Sequence, residues 1–300
     1  MSNWKKSVLA LSLASLIASP LAAQTQNDAK AQAQASATAE AKAVDDSPKV
    51  IEEAIAALDE TDKAIKALED GKNDDAVAAL ERAIGKLEVI LTKNPDMTLA
   101  PVDVSSTVID IIASPAEIKT AKAESMRLLA DHQLQLARPI ISSLASEVDI
   151  KTTYIPLGTY PLALKSAAAL IKDDKVDEAK VVLGTALGTL VSDVVALPLP
   201  ILNSVALIDD AKKLSEKADR TEDENTKLMA LLDAIDHEIA RGEALEYGGK
   251  DAFKPLRDEM KEIRKKVGNG GSGKGFFDKL KSLFQGLGKD HAQSAKDAAK

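Results

Sequence analysis

From Ile51 onward the apolar positions recur at three- and four-residue intervals, the period of a helix that buries one face. Ile51, Ile55, Leu58, Ile65 and Leu68 make a first stripe; Ala76, Leu80, Ala83, Leu87 and Leu91 make a second, across the polar turn Asp70-Gly71-Lys72-Asn73. The same unit returns further along the chain. Aligned without a gap, Ala64, Lys72, Asp74, Ala76, Leu80, Ala83 and Leu87 fall on Ala167, Lys175, Asp177, Ala179, Leu183, Ala186 and Leu190. Each copy predicts a helix, a polar turn and a second helix opened by an Asp and packed through small Ala residues.

Between the copies the period changes. Pro95 to Pro101 interrupts the helical pattern, and the β-branched run Val102–Ile112 predicts a strand. A helix is expected from Pro115 to about Ala137, with Pro139 kinking or restarting it toward Ser146. Ile150–Leu157 predicts a second strand, and the two could pair as a short ribbon packed on the helices. The second hairpin follows Pro161 and ends near Pro198 and Pro200. Leu202–Ala218, Glu222–Tyr247 and Phe253–Val267 predict three more helices, the last with a seam of Phe253, Leu256, Met260, Ile263 and Val267. The expected fold is mainly α: antiparallel helical hairpins from a duplicated unit, with a small two-stranded β-ribbon, over residues 46–267. Ser47 is the expected N-cap, with Pro48 at the first helical position.

The two ends have a different character. Lys5 and Lys6, the apolar run Ser7–Ala18 and the small residues before Gln24 have the layout of a secretory signal peptide over residues 1–23, cleaved near Ala23. Lipoprotein processing is excluded because the chain has no Cys. The expected location is the periplasm. Residues 24–45 form a low-complexity linker lacking core formers, for which disorder is expected. Residues 268–275 are a Gly-rich linker, and 276–300 an amphipathic tail. Net charge is −8, moving to about −10 without the leader, a balance that argues against nucleic acid as a partner.

The exported leader, the duplicated hairpins, Tyr154-Ile155-Pro156-Leu157-Gly158 and Ala196-Leu197-Pro198-Leu199 leading to Ile208-Asp209-Asp210-Ala211-Lys212 together resemble the YfdX family of bacterial exported proteins. The resemblance covers roughly residues 50–220. It implies a mostly helical fold with little sheet, export, a link to stress response and no enzymatic activity. Residues from about 221 read as a helical extension beyond the family core.

Candidate chemistry is sparse. Gly268 to Gly275 matches the first seven positions of a phosphate-binding loop, but Gly275 replaces the magnesium-binding hydroxyl and the preceding segment is helical rather than a strand. It reads as a flexible linker. His132, His237 and His291 have no ligand spacing, so neither a metal nor another cofactor is expected. His132 lies one turn from Leu128 and Leu136, on a core-facing position. Tyr154 and Tyr160 bracket a Pro/Gly turn and, with His132, are the candidate lining of a small-ligand groove, packing being the plainer role. The acidic pairs sit at turns and helix starts, where they serve the macrodipole. Phe276, Phe277, Leu280, Leu283, Phe284 and Leu287 make one apolar helix face flanked by Lys274, Lys279, Lys281 and Lys289. That face suits a peripheral membrane surface, a partner's groove or the chain's own bundle.

These features, with the stress link that the resemblance implies, lead to the expectation of a non-enzymatic, stress-associated periplasmic protein, chaperone-like or ligand-binding, with unfolded or envelope proteins as partners. The alternative is a scaffold or adaptor docking through the Phe-rich segment. Ala-rich faces permit a homo-oligomer. With 47 acids against 39 bases, protonation near pH 4 would swing the charge positive and could loosen helix contacts.

Overall fold

The computed structural model describes residue 45 and residues 48–249, 251–268 and 271–298, with side chains to residue 288. The expected leader, nearly all of the 24–45 linker and the Ser47 cap lie outside the described residues; Asp45 itself is helical. In chain order the elements are α1 (Glu52–Glu69), α2 (Asn73–Lys93), β1 (Leu99–Asp110), α3 (Pro115–Ala130), α4 (Leu134–Ser143), β2 (Ser146–Pro156) and α5 (Tyr160–Lys172). Then come α6 (Val176–Gly188), β3 (Val191–Pro198), α7 (Leu199–Ser215), α8 (Glu222–Ala244), α9 (Lys254–Gly268) and α10 (Asp278–Ala298). The chain is mainly α, as its periodicity predicts.

The duplication holds at the level of backbone geometry. α1/α2 and α5/α6 are antiparallel hairpins, and they pack together through α2 on α5 and α1 on α6 into a four-helix bundle. Both turns end the first helix with a left-handed residue, Gly71 at φ 71° and Asp174 at φ 60°. The next amide then reaches back to the last turn, Lys72 to Ala67 O at 2.8 Å and Lys175 to Leu170 O at 2.9 Å. This pair of features is the Schellman ending, which satisfies carbonyls a helix would otherwise leave open. The second helices begin earlier than an Asp cap would place them, at Asn73 and Val176. Lys72 and Lys175 hold the N-cap positions, and Asp74 and Asp177 lie in the first turn, where they complement the helix dipole without capping it. α1 also begins later than expected, at Glu52, because Ile51 is extended and its amide donates to Pro101 O on β1.

The sheet has three strands, not two. β2 is central and antiparallel to both neighbours, Val148 lying between Val108 and Leu197. β3 follows the second hairpin directly, so its Val-rich run reads in sequence as the end of a helix; pairing with β2 decides otherwise. The register of β1 shifts between Pro101 and Asp103, a bulge that places Val102 in the core. The helix expected over 115–137 also divides. It ends at Ala130, His132 takes φ 59°, and α4 then carries Pro139 inside it. The break therefore falls at His132 rather than at the proline.

Two main cores result. The first joins the four hairpin helices to the near end of the sheet through Ala100, Val102, Ile155 and Leu157. The second is built by α7–α10, with the Leu256-Met260-Ile263-Val267 seam of α9 at its centre. Val148, Ile150 and Leu199 bridge the sheet to α7. None of the described helices is long and apolar enough to cross a membrane.

Candidate functional site

Between β1 and β2 the chain leaves the sheet as a helical arm, α3 and α4, and comes back. α3 opens with a capping box: Ser114 Oγ accepts from the Glu117 amide at 3.3 Å, Glu117 accepts from the Ser114 amide at 2.8 Å, and Pro115 stands at the first helical position. The inner face of α3, with Ile118 and Leu128 buried, packs on α8. α4 is different. Leu134, Ala137, Ile141 and Leu144 fall at the spacing of one helix face, yet Ala137 alone is buried. Leu134 is 57% exposed, Leu136 61% and Ile141 44%, and Ile112 at the base of the arm is 99% exposed. A ten-residue helix is marginal in water by itself. α4 leans on α3 and presents most of its apolar side chains outward.

One cluster of buried polar groups holds the base of this arm. Arg241, at the last turn of α8 and 4% exposed, sends Nη2 to Asp110 Oδ1 at 2.5 Å, to Ile111 O at 3.1 Å and to Ser146 Oγ at 3.1 Å. Its Nη1 faces both oxygens of the fully buried Glu238 at 3.3 Å. Ser146 Oγ donates to Asp110 at 2.6 Å, and the Ser146 amide donates to the Tyr247 hydroxyl at 2.7 Å. Tyr247 in turn donates to Glu147 at 3.2 Å. Burial works against the Arg241 charge, but Glu238 and Asp110 more than offset it and hold the guanidinium above its ordinary value. Burial pushes the Tyr247 phenol well up. It also raises Glu147, helped by neighbouring Asp149, while the Tyr247 bond pulls the other way. Arg241, Glu238 and Ser146 are buried, while Asp110 stands exposed at the rim of the cluster. Among the described residues no group of His, Asp and Glu is placed to hold a metal ion.

The sequence-nominated residues fall elsewhere. Tyr160 is fully buried, because Tyr160, Leu164, Ala167 and Ile171 form the bundle-facing stripe of α5. Its hydroxyl lies beside Thr61 but closes no hydrogen bond, and burial raises its pKa. Tyr154 is half-buried in β2, opposite Pro101 and Val191. His132 does not face the core: it is the exposed left-handed residue after α3. The three stand in three settings and line no common groove. An apolar groove of ≈ 200 Å³ does lie on the outside of the second hairpin, among Thr159, Ala163, Val181, Val182, Thr185 and Thr189. In the tail, Phe277, Leu280 and Phe284 are buried in the second core, and Phe276, Leu283 and Leu287 pack partly buried against it. Lys281 pairs with Asp209, Lys279 with Glu259, and Lys212 with Asp278. The Gly-rich segment is fastened too, with Arg220 on Gly271 O at 2.9 Å.

The family model for YfdX proteins matches residues 57–196, which take in α2, α5, α6, the arm and the sheet almost to the end of β3. That stretch is the YfdX region of the chain. A solved crystal structure of Salmonella Typhi YfdX is similar over 50% of this chain and 93% of its own, at 16% identity and a TM-score of 0.36. No curated protein matches the chain. The YfdX region therefore contains the arm, whereas Arg241 and Tyr247, which hold its base, lie in the helical extension after it.

Proposed function

We propose that this protein is a non-enzymatic, stress-associated binding protein of the periplasm, and that the arm offers apolar surface to unfolded polypeptides. The observation that supports the reading is the exposure of Leu134, Leu136 and Ile141 on α4 and of Ile112 at the base of the arm. Scattered exposed aliphatic residues are ordinary, but several on one short helix and its base suggest a contact surface. The test is suppression of aggregation of an unfolding client at pH 7 and pH 4. The expected result is suppression by the exported chain and loss of most of it in the triple variant Leu134→Ser, Leu136→Ser, Ile141→Ser. Equal suppression by that variant would remove the arm from the reading, and no suppression by either would remove the reading itself. Export is checked separately, by fractionation and by sequencing the mature N-terminus, expected near Gln24.

The adaptor reading has less support. Phe277, Leu280 and Phe284 are committed to the second core, so contact with a membrane or partner through them requires α10 to leave its site.

A further inference from the structure

The residues that hold the arm come from one short stretch of the extension. Within Arg241–Tyr247, Arg241 contacts Asp110 and Ile111 where the chain leaves the sheet, and Ser146 where it returns. Tyr247 contacts Ser146 and Glu147 on the returning strand. Glu246 takes Lys122 on the shaft of α3 at 2.8 Å. The stretch is shaped for this. Glu246 adopts φ 62°, and the Tyr247 amide reaches back to Gly242 O at 3.1 Å, turning the chain so that Tyr247 points at the sheet. Gly242 leaves room for Phe253, whose ring would stand 2.8 Å from any Cβ there. Without these contacts the base of the arm keeps one backbone rung beyond the strands, Ile111 N to Ala145 O at 3.0 Å.

We propose that the C-terminal end of α8 is a clamp that fixes the angle of the α3–α4 arm to the YfdX sheet, with Arg241 and Tyr247 as its positioning residues. A feature of the YfdX region is thus held in place by a part of the chain that lies outside it. Both strands at the base must stay in register for Arg241 to satisfy Asp110 and Ser146 together, so releasing the clamp frees the arm as a unit rather than melting one helix. The effect of the clamp on client capture rests on the function proposed above; the position of the arm does not.

The chain has no cysteine, so spin labels can be placed cleanly. Label pairs at exposed Gln133→Cys and Lys66→Cys report the distance between the arm tip and the first hairpin in the full chain. One narrow distance distribution is expected in the parent, and a clearly broadened one in Tyr247→Phe and in Arg241→Lys. Hydrogen exchange over residues 111–146 is expected to speed up by about tenfold or more, with α1 and α2 unchanged. Tyr247→Phe keeps the ring, so it tests the clamp even if Arg241→Lys folds poorly. An unchanged distribution in Tyr247→Phe, or exchange that rises equally in α1 and α2, would overturn the clamp. Altered arm geometry with unaltered client suppression would leave the clamp standing and count against the binding role of the arm.

Discussion

The two hairpins share a backbone and differ in what they show to solvent. Ala64, Ala76, Leu80 and Ala83 and their counterparts Ala167, Ala179, Leu183 and Ala186 are all buried, and both turns close through the same Schellman bonds. On the outside the first hairpin is polar: Arg82 reaches Glu60 at 2.7 Å across the two helices. The residues at the same places in the second hairpin are Thr185 and Ala163, and there the apolar groove opens. Asp59 corresponds to the exposed Leu162, and Ala78 to the exposed Val181. The buried face of the unit is thus the constrained one. An outer face can exchange an ion pair for a bare groove without disturbing the bundle, because surface pairs contribute little to stability.

The largest test of that equivalence is the core. Leu80→Ala and Leu183→Ala should each cost about 2–5 kcal/mol by denaturant unfolding, since both leave a cavity at a fully buried site. Costs that differ beyond that spread would break the equivalence of the two copies. Gly71→Ala and Asp174→Gly should move in opposite directions. The first places a Cβ at positive φ and should lose about 1 kcal/mol, while the second relieves the same strain and should gain up to about 1 kcal/mol. Tyr160 stands where the first hairpin has Ala57, and its hydroxyl closes no bond. Tyr160→Phe should therefore be neutral or stabilising by up to about 1 kcal/mol; a clear loss would mean that Thr61 accepts that proton in solution. The smallest effect belongs to the outer ion pair. Lys63 and Arg82 hold the Glu60 carboxyl below the usual carboxylate range, although burial opposes them. Its contribution should be fully present above the unfolded carboxylate pKa and lost as pH falls through the lower folded value. Glu60→Gln should cost less than about 1 kcal/mol at pH 7, and the difference from the parent should vanish in acid. Ala163→Glu with Thr185→Arg should fill the second groove at a similarly small change in stability.

What the sequence showed clearly was whatever a helical period records. The stripes of α2, α5 and α6 and the α9 seam from Leu256 to Val267 are local patterns and are buried largely as read. In α1, by contrast, the buried face is Ala54, Ala57, Thr61, Ala64 and Leu68, and Ile51, Ile55, Leu58 and Ile65 of the expected stripe pack half-buried beside it. β3 escaped because Val191–Pro198 has no neighbour in sequence to pair with; its partner is β2, beyond the whole second hairpin. The division of α3 from α4 escaped because Asp131-His132-Gln133 contains neither Gly nor Pro, and the left-handed residue is a histidine. Arg241 was invisible for a related reason. It looks like any arginine on a charged helix, and its acceptors are Asp110, Ile111 and Ser146, brought beside it only by the fold. A signal did exist in the Gly242 and Tyr247 that follow it, a small residue in the last turn of α8 and an aromatic just past its end. The Phe face was legible as a face, but nothing in its own residues says which surface it covers.

The separation of the two hairpins also has a meaning in time. The first hairpin is complete by Lys93, and its internal contacts are all local, the kind that form quickly. The mate for its remaining apolar stripe emerges only with α5 and α6, after both strands β1 and β2 and the arm between them. During synthesis the early hairpin must wait with that stripe open, at the stage when a growing chain is most exposed to mispairing. The small Ala side chains along the stripe present less apolar surface during that wait than larger residues would. They suit an element that has to remain half-built until a distant copy of itself arrives.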